Sequence, residues 1–403
     1  MNTTPSNYQG KLAIVCIHGL GENGLNTVRS LGRAGIPVVV IGIQGELNLA
    51  KYSKYCSRFE EINSFDKKQL LDKLFQLRDE LTYNPILFFD NDYMLALLND
   101  SEEVLKSKFK LTQGIKDFSF KDYQMKMADE ADVNVPKTWK PKSWNGLMEM
   151  KIPLNIKLIA KPSQDEGKKP FKTIVASNLE KLIDLIKKKT ESIDKIIIQE
   201  YIEGKQDSIW AVLGYYSSDM QFSPILTAVK YSMCPPQGGV MAIGKVLENN
   251  TLTEISKRYI RKSNYFGIFG LEFKYSISDG SYYFIEMSPR TEGFHNITKL
   301  IGIDLPLCAY WDLVLKKKPF YQKSNKLGIY SGYWINIRYF VESLVIQKSV
   351  SDLSKLFIAL ASKSQFQHFD IKDLKPFFVA SRWYINTAWK HRIKKLIIGK
   401  MNG

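Results

Sequence analysis

Cysteine and histidine are scarce in this 403-residue chain, with four of each. Cys16, Cys56, Cys234 and Cys308 show no metal-type spacing, and Cys16 lies inside an apolar run, so all four are expected to be reduced and structural. No apolar run is long enough to span a bilayer, and MNTTPSNYQG lacks the basic-then-apolar order of a secretory leader. The expected location is the cytoplasm. Low-complexity tracts and repeats are absent too, and 44% hydrophobic with 12% aromatic content reads as globular, with room for two or three domains.

What the chain has in excess is positive charge. A net charge of +16 raises nucleic acid, anionic lipid and anionic nucleotides or polymers as partners. There is no zinc spacing, RNP-like aromatic motif or helix-turn-helix pattern, so nucleic acid ranks last and is not expected as a partner. Residues 381–403 contain no acid and carry Arg382, Lys390, Arg392, Lys394, Lys395 and Lys400. Ile385, Trp389, Ile393 and Leu396 with Ile397 recur there at helical spacing. Such a basic amphipathic helix suits either an anionic membrane surface, contacted through residues 383–398, or packing on its own domain.

The richest stretch is residues 267–306. Apolar runs at 268–273 and 282–286 flank Ser278, Asp279 and Gly280, a hairpin pattern. Each run carries one carboxylate, Glu272 and Glu286, and two costly carboxylates on paired strands suggest a shared cation. Ser288 and Arg290 follow at alternate positions, on the same face of an extended chain as Glu286. Oxygen donors suit Mg²⁺, and a guanidinium beside them suits phosphate or carboxylate. Surface salt bridges are the rival reading of the same glutamates.

Upstream, residues 11–43 read as strand, glycine turn, helix and strand, with Gly19, Gly21 and Gly24 spelling G-x-G-x-x-G. The second strand ends in Gly42-Ile43-Gln44 without the acid that would hold a ribose, which favours a tight turn over a dinucleotide site. A helix over 66–81 and a strand over 85–89 continue the βαβ pattern. Asp90, Asn91 and Asp92 end that strand, either facing a ligand or capping the next helix, and the cap is preferred. Lys121 opens a helix. Lys161 ends an apolar strand before the polar loop SQDEGKKPFK, as a phosphate clamp would, although surface lysines are commoner. Gln199 and Glu200 after three isoleucines suit a hinge that offers backbone groups to a flat heterocycle. Strands are expected over 209–216 and 224–231, with Lys230 near the end of the second, and a helix over 254–266.

Taken in order, GENGLNTVRSLGRAGIPVVVIG, KDYQMKMADEADVNVPKT, LIAKP, IIIQEYIEG, CPPQGG, GLEFKY and FIEMSPR followed by GIDLP resemble the ATP-grasp superfamily, in its bacterial carboxylate–amine ligase branch, over residues 11–315. The resemblance implies a mixed α/β and α+β fold. A Rossmann-like preATP-grasp domain would occupy residues 1–115 and an ATP-grasp domain residues 116–315, divided into a small lobe with lid (116–195) and a metal-binding lobe (196–315). Residues 316–403 lie beyond the resemblance and are expected, from the tail's own charge and spacing, to be a C-terminal helical extension with a basic amphipathic end.

The same resemblance assigns roles. Lys121 and Lys161 would reach the ATP phosphates under a lid at residues 163–172. Glu200, Tyr201 and Ile202 would meet adenine, Asp207 the ribose, and Glu272 and Glu286 would hold Mg²⁺ or Mn²⁺. Arg290, with Lys230, would stabilise the phosphoryl group. Two departures stand out: Ser288 occupies the usual asparagine position of a third metal contact, and the lid has only Gly167 among its lysines. The implied reaction joins a carboxylate to an amine through an acylphosphate, with amino acids, cell-wall precursors or surface glycans as substrates. The basic amphipathic tail adds the expectation of a cytoplasmic enzyme at the inner membrane face, and the general frequency of two-fold oligomers that of a homodimer. A non-catalytic ATP-binding protein and a free amino-acid (dipeptide) ligase are the alternatives. His295 lies close to Arg290, but a lone histidine among apolar residues reads first as structural.

Overall fold

The computed structural model describes residues 11–114, 117–163, 170–171, 173–204, 208–219, 223–234, 240–318, 329–331 and 364–387. The chain begins by alternating strand and helix: β1 (Ala13–Cys16), α1 (Glu22–Arg33), β2 (Val38–Ile43), β3 (Arg58–Ile62), α2 (Lys67–Asp79), β4 (Ile86–Phe89), α3 (Asp92–Leu97), α4 (Glu102–Lys108) and β5 (Lys110–Leu111). These strands pair in parallel in the order β3-β2-β1-β4-β5. Every residue of β1 and β4 is buried, as continuous apolar runs such as AIVC and ILFF require in a sheet covered on both faces. The glycine turn has steric causes: Gly19 and Gly21 sit at φ of 60° and 72°, and a Cβ on Gly24 would lie 2.4 Å from Ile17.

A second sheet follows α5 (Lys121–Glu130). It is antiparallel, in the order β6-β9-β7-β8, from β6 (Thr138–Trp139), β7 (Leu158–Pro162), β8 (Ile174–Ala176) and β9 (Ile196–Glu200). Of its helices α6 (Trp144–Glu149) and α7 (Leu179–Lys187), α7 buries Leu179, Leu182 and Ile186, the i, i+3, i+7 stripe of an amphipathic helix.

The third sheet runs β14-β13-β10-β11-β12-β15-β16. Its strands are β10 (Ile209–Tyr216), β11 (Ile225–Cys234), β12 (Val240–Val246), β13 (Gly267–Tyr275), β14 (Tyr282–Ser288), β15 (Ile329–Ser331) and β16 (Ser364–Phe366). Only the β15–β16 pair is parallel. α8 (Asn250–Lys262) starts four residues before the helix expected from sequence, because the Asn249 side chain accepts from Leu252 N–H and caps it there. α9 (Leu305–Leu313) and a last helix, α10 (375–387), complete the described chain. β11 extends to Cys234, so Lys230 lies within the strand, beside a register irregularity, and not at its end.

Two joints bind these parts. Gly267 bridges Gln113, and Ile268 N–H donates to Thr112 O at 3.2 Å, so β13 starts against the end of the first sheet. The segment after β16 returns to α1, where the buried Arg29 donates to Asp373 Oδ2 at 2.9 Å and to the carbonyls of Gln367, His368 and Asp373. Asp373 also accepts from Ser53 Oγ and Lys54 N–H.

Candidate active site

β13 and β14 pair with Glu272 opposite Glu286 and Gly270 opposite Ser288. Directly opposed residues of an antiparallel pair share a face, so the two glutamates stand side by side. The register breaks between Glu272 and Phe273, a bulge-like irregularity of the kind that re-aims a side chain. Each glutamate has its own lysine. Lys121, first residue of α5, places Nζ 2.7 Å from Glu286 Oε2, and Lys230 on β11 pairs with Glu272 Oε1.

The charges here shape one another. The Lys121 ammonium, with Lys161 further off, holds the Glu286 carboxyl well below the usual carboxylate range against the opposing effect of burial. Burial works to lower Lys121 and Lys230, but Glu286 and Glu272 respectively outweigh it, and both lysines end up raised. Lys161 differs. It is 7% exposed, and among the described residues it has no salt-bridge partner. Burial, helped by Lys121, pushes it down to about 8.

Arg290 is held from outside this sheet. Its Nε and Nη2 donate to Asp92 Oδ1 and Oδ2 at 2.8 and 2.6 Å, a bidentate pair with the first residue of α3. Asn91 caps α3 through Tyr93 N–H, which leaves Asp92 for Arg290, while Asp90 is buried, accepts from His18 N–H and is pushed by that burial up to about 7. Behind Arg290, Ser288 Oγ donates to Glu292 Oε1 at 2.9 Å, and burial pushes the Glu292 carboxyl up to about 8. His295 Nδ1 accepts from Glu292 N–H at 2.7 Å, so Nε2 carries the proton and donates to Phe269 O at 3.2 Å. With both nitrogens engaged and burial pushing it down to about 3, His295 is a neutral structural histidine.

At the edge of the second sheet, Gln199 donates to Thr138 Oγ1 at 2.9 Å, Glu200 Oε1 accepts from Lys137 N–H, and Tyr201 N–H donates to Lys157 O. Lys274 lies over the Tyr201 ring, 4.7 Å from its centroid. Asp207, lid residues 164–169 and 172, and the loop 235–239 lie outside the described residues.

The donor set fits a hard cation. Glu272 and Glu286 supply oxygens from facing positions, and the lysines beside them already balance charge there. Among the described residues no group of three or more His, Cys, Asp or Glu is gathered to hold a metal. Two glutamates with water and phosphate oxygens for the remaining positions is the manner of Mg²⁺ at nucleotide sites. Asp92 and Glu292 were not singled out by sequence as site residues. Asp92 did carry a signal, its place past the carboxyl end of a parallel strand. Glu292 carried none.

Residues 124–294 match the family model described as the ATP-grasp domain. Over that region the chain is similar to the ATP-grasp domain. The matched region holds Lys161, Lys230, Glu272, Glu286, Ser288, Arg290 and Glu292, whereas Asp92 and Lys121 precede it. A curated relative, the carbamoyl-phosphate synthase of Methanobrevibacter smithii, is 24% identical over 250 residues, 56% of this chain. The chain spans 64% of that relative's length. Among solved structures, the ADP complex of purK, N5-carboxyaminoimidazole ribonucleotide synthetase, superposes with a TM-score of 0.63 at 13% identity, over 79% of this chain and 81% of that one. The L-amino acid ligase of Bacillus licheniformis gives 0.57 at 14% identity, over 76% and 75%. These likenesses establish the ATP-grasp fold, with its parallel first sheet, an antiparallel second and a third that is antiparallel but for the β15–β16 pair.

Proposed function

We propose that the chain is an ATP-dependent carboxylate–amine ligase that forms an amide through an acylphosphate, releasing ADP and phosphate. The observation that carries this reading is the pair of facing glutamates, each matched to a lysine, beside the buried Lys161 and the clamped Arg290. ADP is the nucleotide in the purK structure, and an L-amino acid ligase shares the fold. In this reading residues 1–115 support the site, 116–195 carry the lid and 196–315 the carboxylates.

The division of labour follows from position. Lys121 and Lys161 draw the ATP phosphates toward the glutamates, and Lys161, which has no carboxylate partner among the described residues, gains most from a bound anion. Glu200, Tyr201 and Ile202 border the adenine, with Gln199 fixing their strand, and the ribose role of Asp207, which lies outside the described residues, rests on the family resemblance alone. When bound, Mg²⁺ would supply charge neutralisation on the phosphate oxygens between Glu272 and Glu286. Arg290, oriented by Asp92, faces the charge that develops as the phosphoryl group passes to the substrate carboxylate. Lys230 holds Glu272 in place, and Ser288 supports the site through Glu292.

The acceptor we favour is a cell-wall or surface-glycan precursor, modified on the cytoplasmic side by an enzyme in peripheral membrane contact. The rival reading, a non-catalytic ATP-binding protein, is favoured by one observation: the Ser288 hydroxyl is already spent on Glu292. Mg²⁺-dependent ADP release, measured with pools of amino acids and sugar acids, separates the two. Release that needs both an acid and an amine, and that vanishes in Glu286→Ala, is the expected result. Tight ATP binding without turnover across all pools, precursor extracts included, favours the binding protein.

A further inference from the structure

Large apolar side chains stand exposed at eleven described positions, and six of them crowd into residues 369–385: Phe369, Ile371, Leu374, Phe378, Trp383 and Ile385. Ile371 is 77% exposed, Phe378 61% and Ile385 58%. Single exposed apolar residues are ordinary, but a concentration of them marks a contact surface.

α10 shows how the face arises. Ala380 is fully buried and the Tyr384 hydroxyl donates to Glu22, which fixes the inward side of the helix. Lys375, Phe378, Arg382 and Ile385 recur at helical spacing on the opposite side, and all four are exposed. Charge is sorted the same way. The two acids of residues 364–387, Asp370 and Asp373, turn inward onto Arg33 and Arg29, while Lys372, Lys375 and Arg382 remain outside.

An outward face that combines apolar side chains with cations alone matches an anionic lipid surface, where the apolar groups enter the interface and the lysines meet phosphate. A second copy of the chain would set like charges against each other. We propose that residues 369–385 form a docking face for anionic membranes, held rigidly to the first domain by the Arg29–Asp373 clamp. The exposure pattern behind this face is independent of the ligase reading.

Cosedimentation of the full chain with phosphatidylglycerol/phosphatidylcholine vesicles, against pure phosphatidylcholine vesicles, tests it. The expected result is binding to the anionic vesicles, at least about tenfold weaker for Phe378→Glu/Ile385→Glu and weakened by added salt. Lys372→Glu/Arg382→Glu should lose the anionic preference in particular. All four side chains are exposed, so an unchanged melting temperature and unchanged ATP binding are expected in both variants. Equal recovery of wild type and variants, no recovery on anionic vesicles, or a wild-type dimer that Phe378→Glu/Ile385→Glu converts to monomer would overturn the proposal.

Discussion

Two clusters of buried charge sit in this molecule, and they are built on opposite plans. At the clamp, Arg29 gives its donors to one carboxylate and three carbonyls, and Asp373 accepts from Arg29, Ser53 and Lys54, so the set is saturated. At the carboxylate centre, Glu272 and Glu286 have one lysine each, and Lys161 has no carboxylate partner among the described residues. A saturated cluster holds a structure together; one with unused oxygens beside spare positive charge is arranged to receive a ligand.

The largest effect is expected where the first plan is broken. Asp373→Ala takes from the buried Arg29 its one hydrogen-bonded carboxylate, leaving three carbonyls and the more distant Asp370 at 3.9 Å, which should cost about 3 kcal/mol of stability in denaturant unfolding. ATP affinity in the fraction that remains folded should be unchanged. A loss of ATP affinity with little loss of stability would erase the distinction between the clusters.

A smaller effect sharpens the second plan. Asp92→Asn keeps the shape but removes the charge that orients Arg290, so ADP release should fall about tenfold while ATP affinity holds. A fall in ATP affinity instead would mean that Arg290 serves the nucleotide and not the transferring group.

The smallest effect is in pH. Lys161 carries its charge below about 8 and loses it above, so ATP binding should weaken roughly fivefold between about pH 7 and 9, and Lys161→Arg should flatten that profile. Stability moves the other way. The folded state holds fewer protons than the unfolded one between about 8 and the ordinary lysine value of 10.5, so stability contributed by this group rises with pH across that window.

Sequence alone exposed the centre more fully than the clamp, for physical reasons. Glu272 and Glu286 interrupt apolar runs around a turn, and Lys121 and Lys161 open a helix and end a strand, so each announces itself within a few residues. Asp92 was overshadowed by local grammar: the triplet reads as a helix cap, and Asn91 does cap, which hides the third residue's reach to Arg290, 198 positions away. Arg29 and Asp373 are 344 residues apart, and neither leaves a periodic trace. β12, β15 and β16 were missed because strands of three to seven residues at a sheet's far side carry little pattern of their own.

The backbone joint at Gly267 has a mechanical meaning. A Cβ there would lie 2.1 Å from Thr112 O, so no other residue lets the two chains touch this closely, and Glu272 sits five positions further along the same strand. The carboxylates therefore belong to the anvil. Lys161 and the Glu200 edge belong to the separate four-stranded sheet, so the two glutamates are fixed to each other by one strand pair while Lys161 is held by different strands.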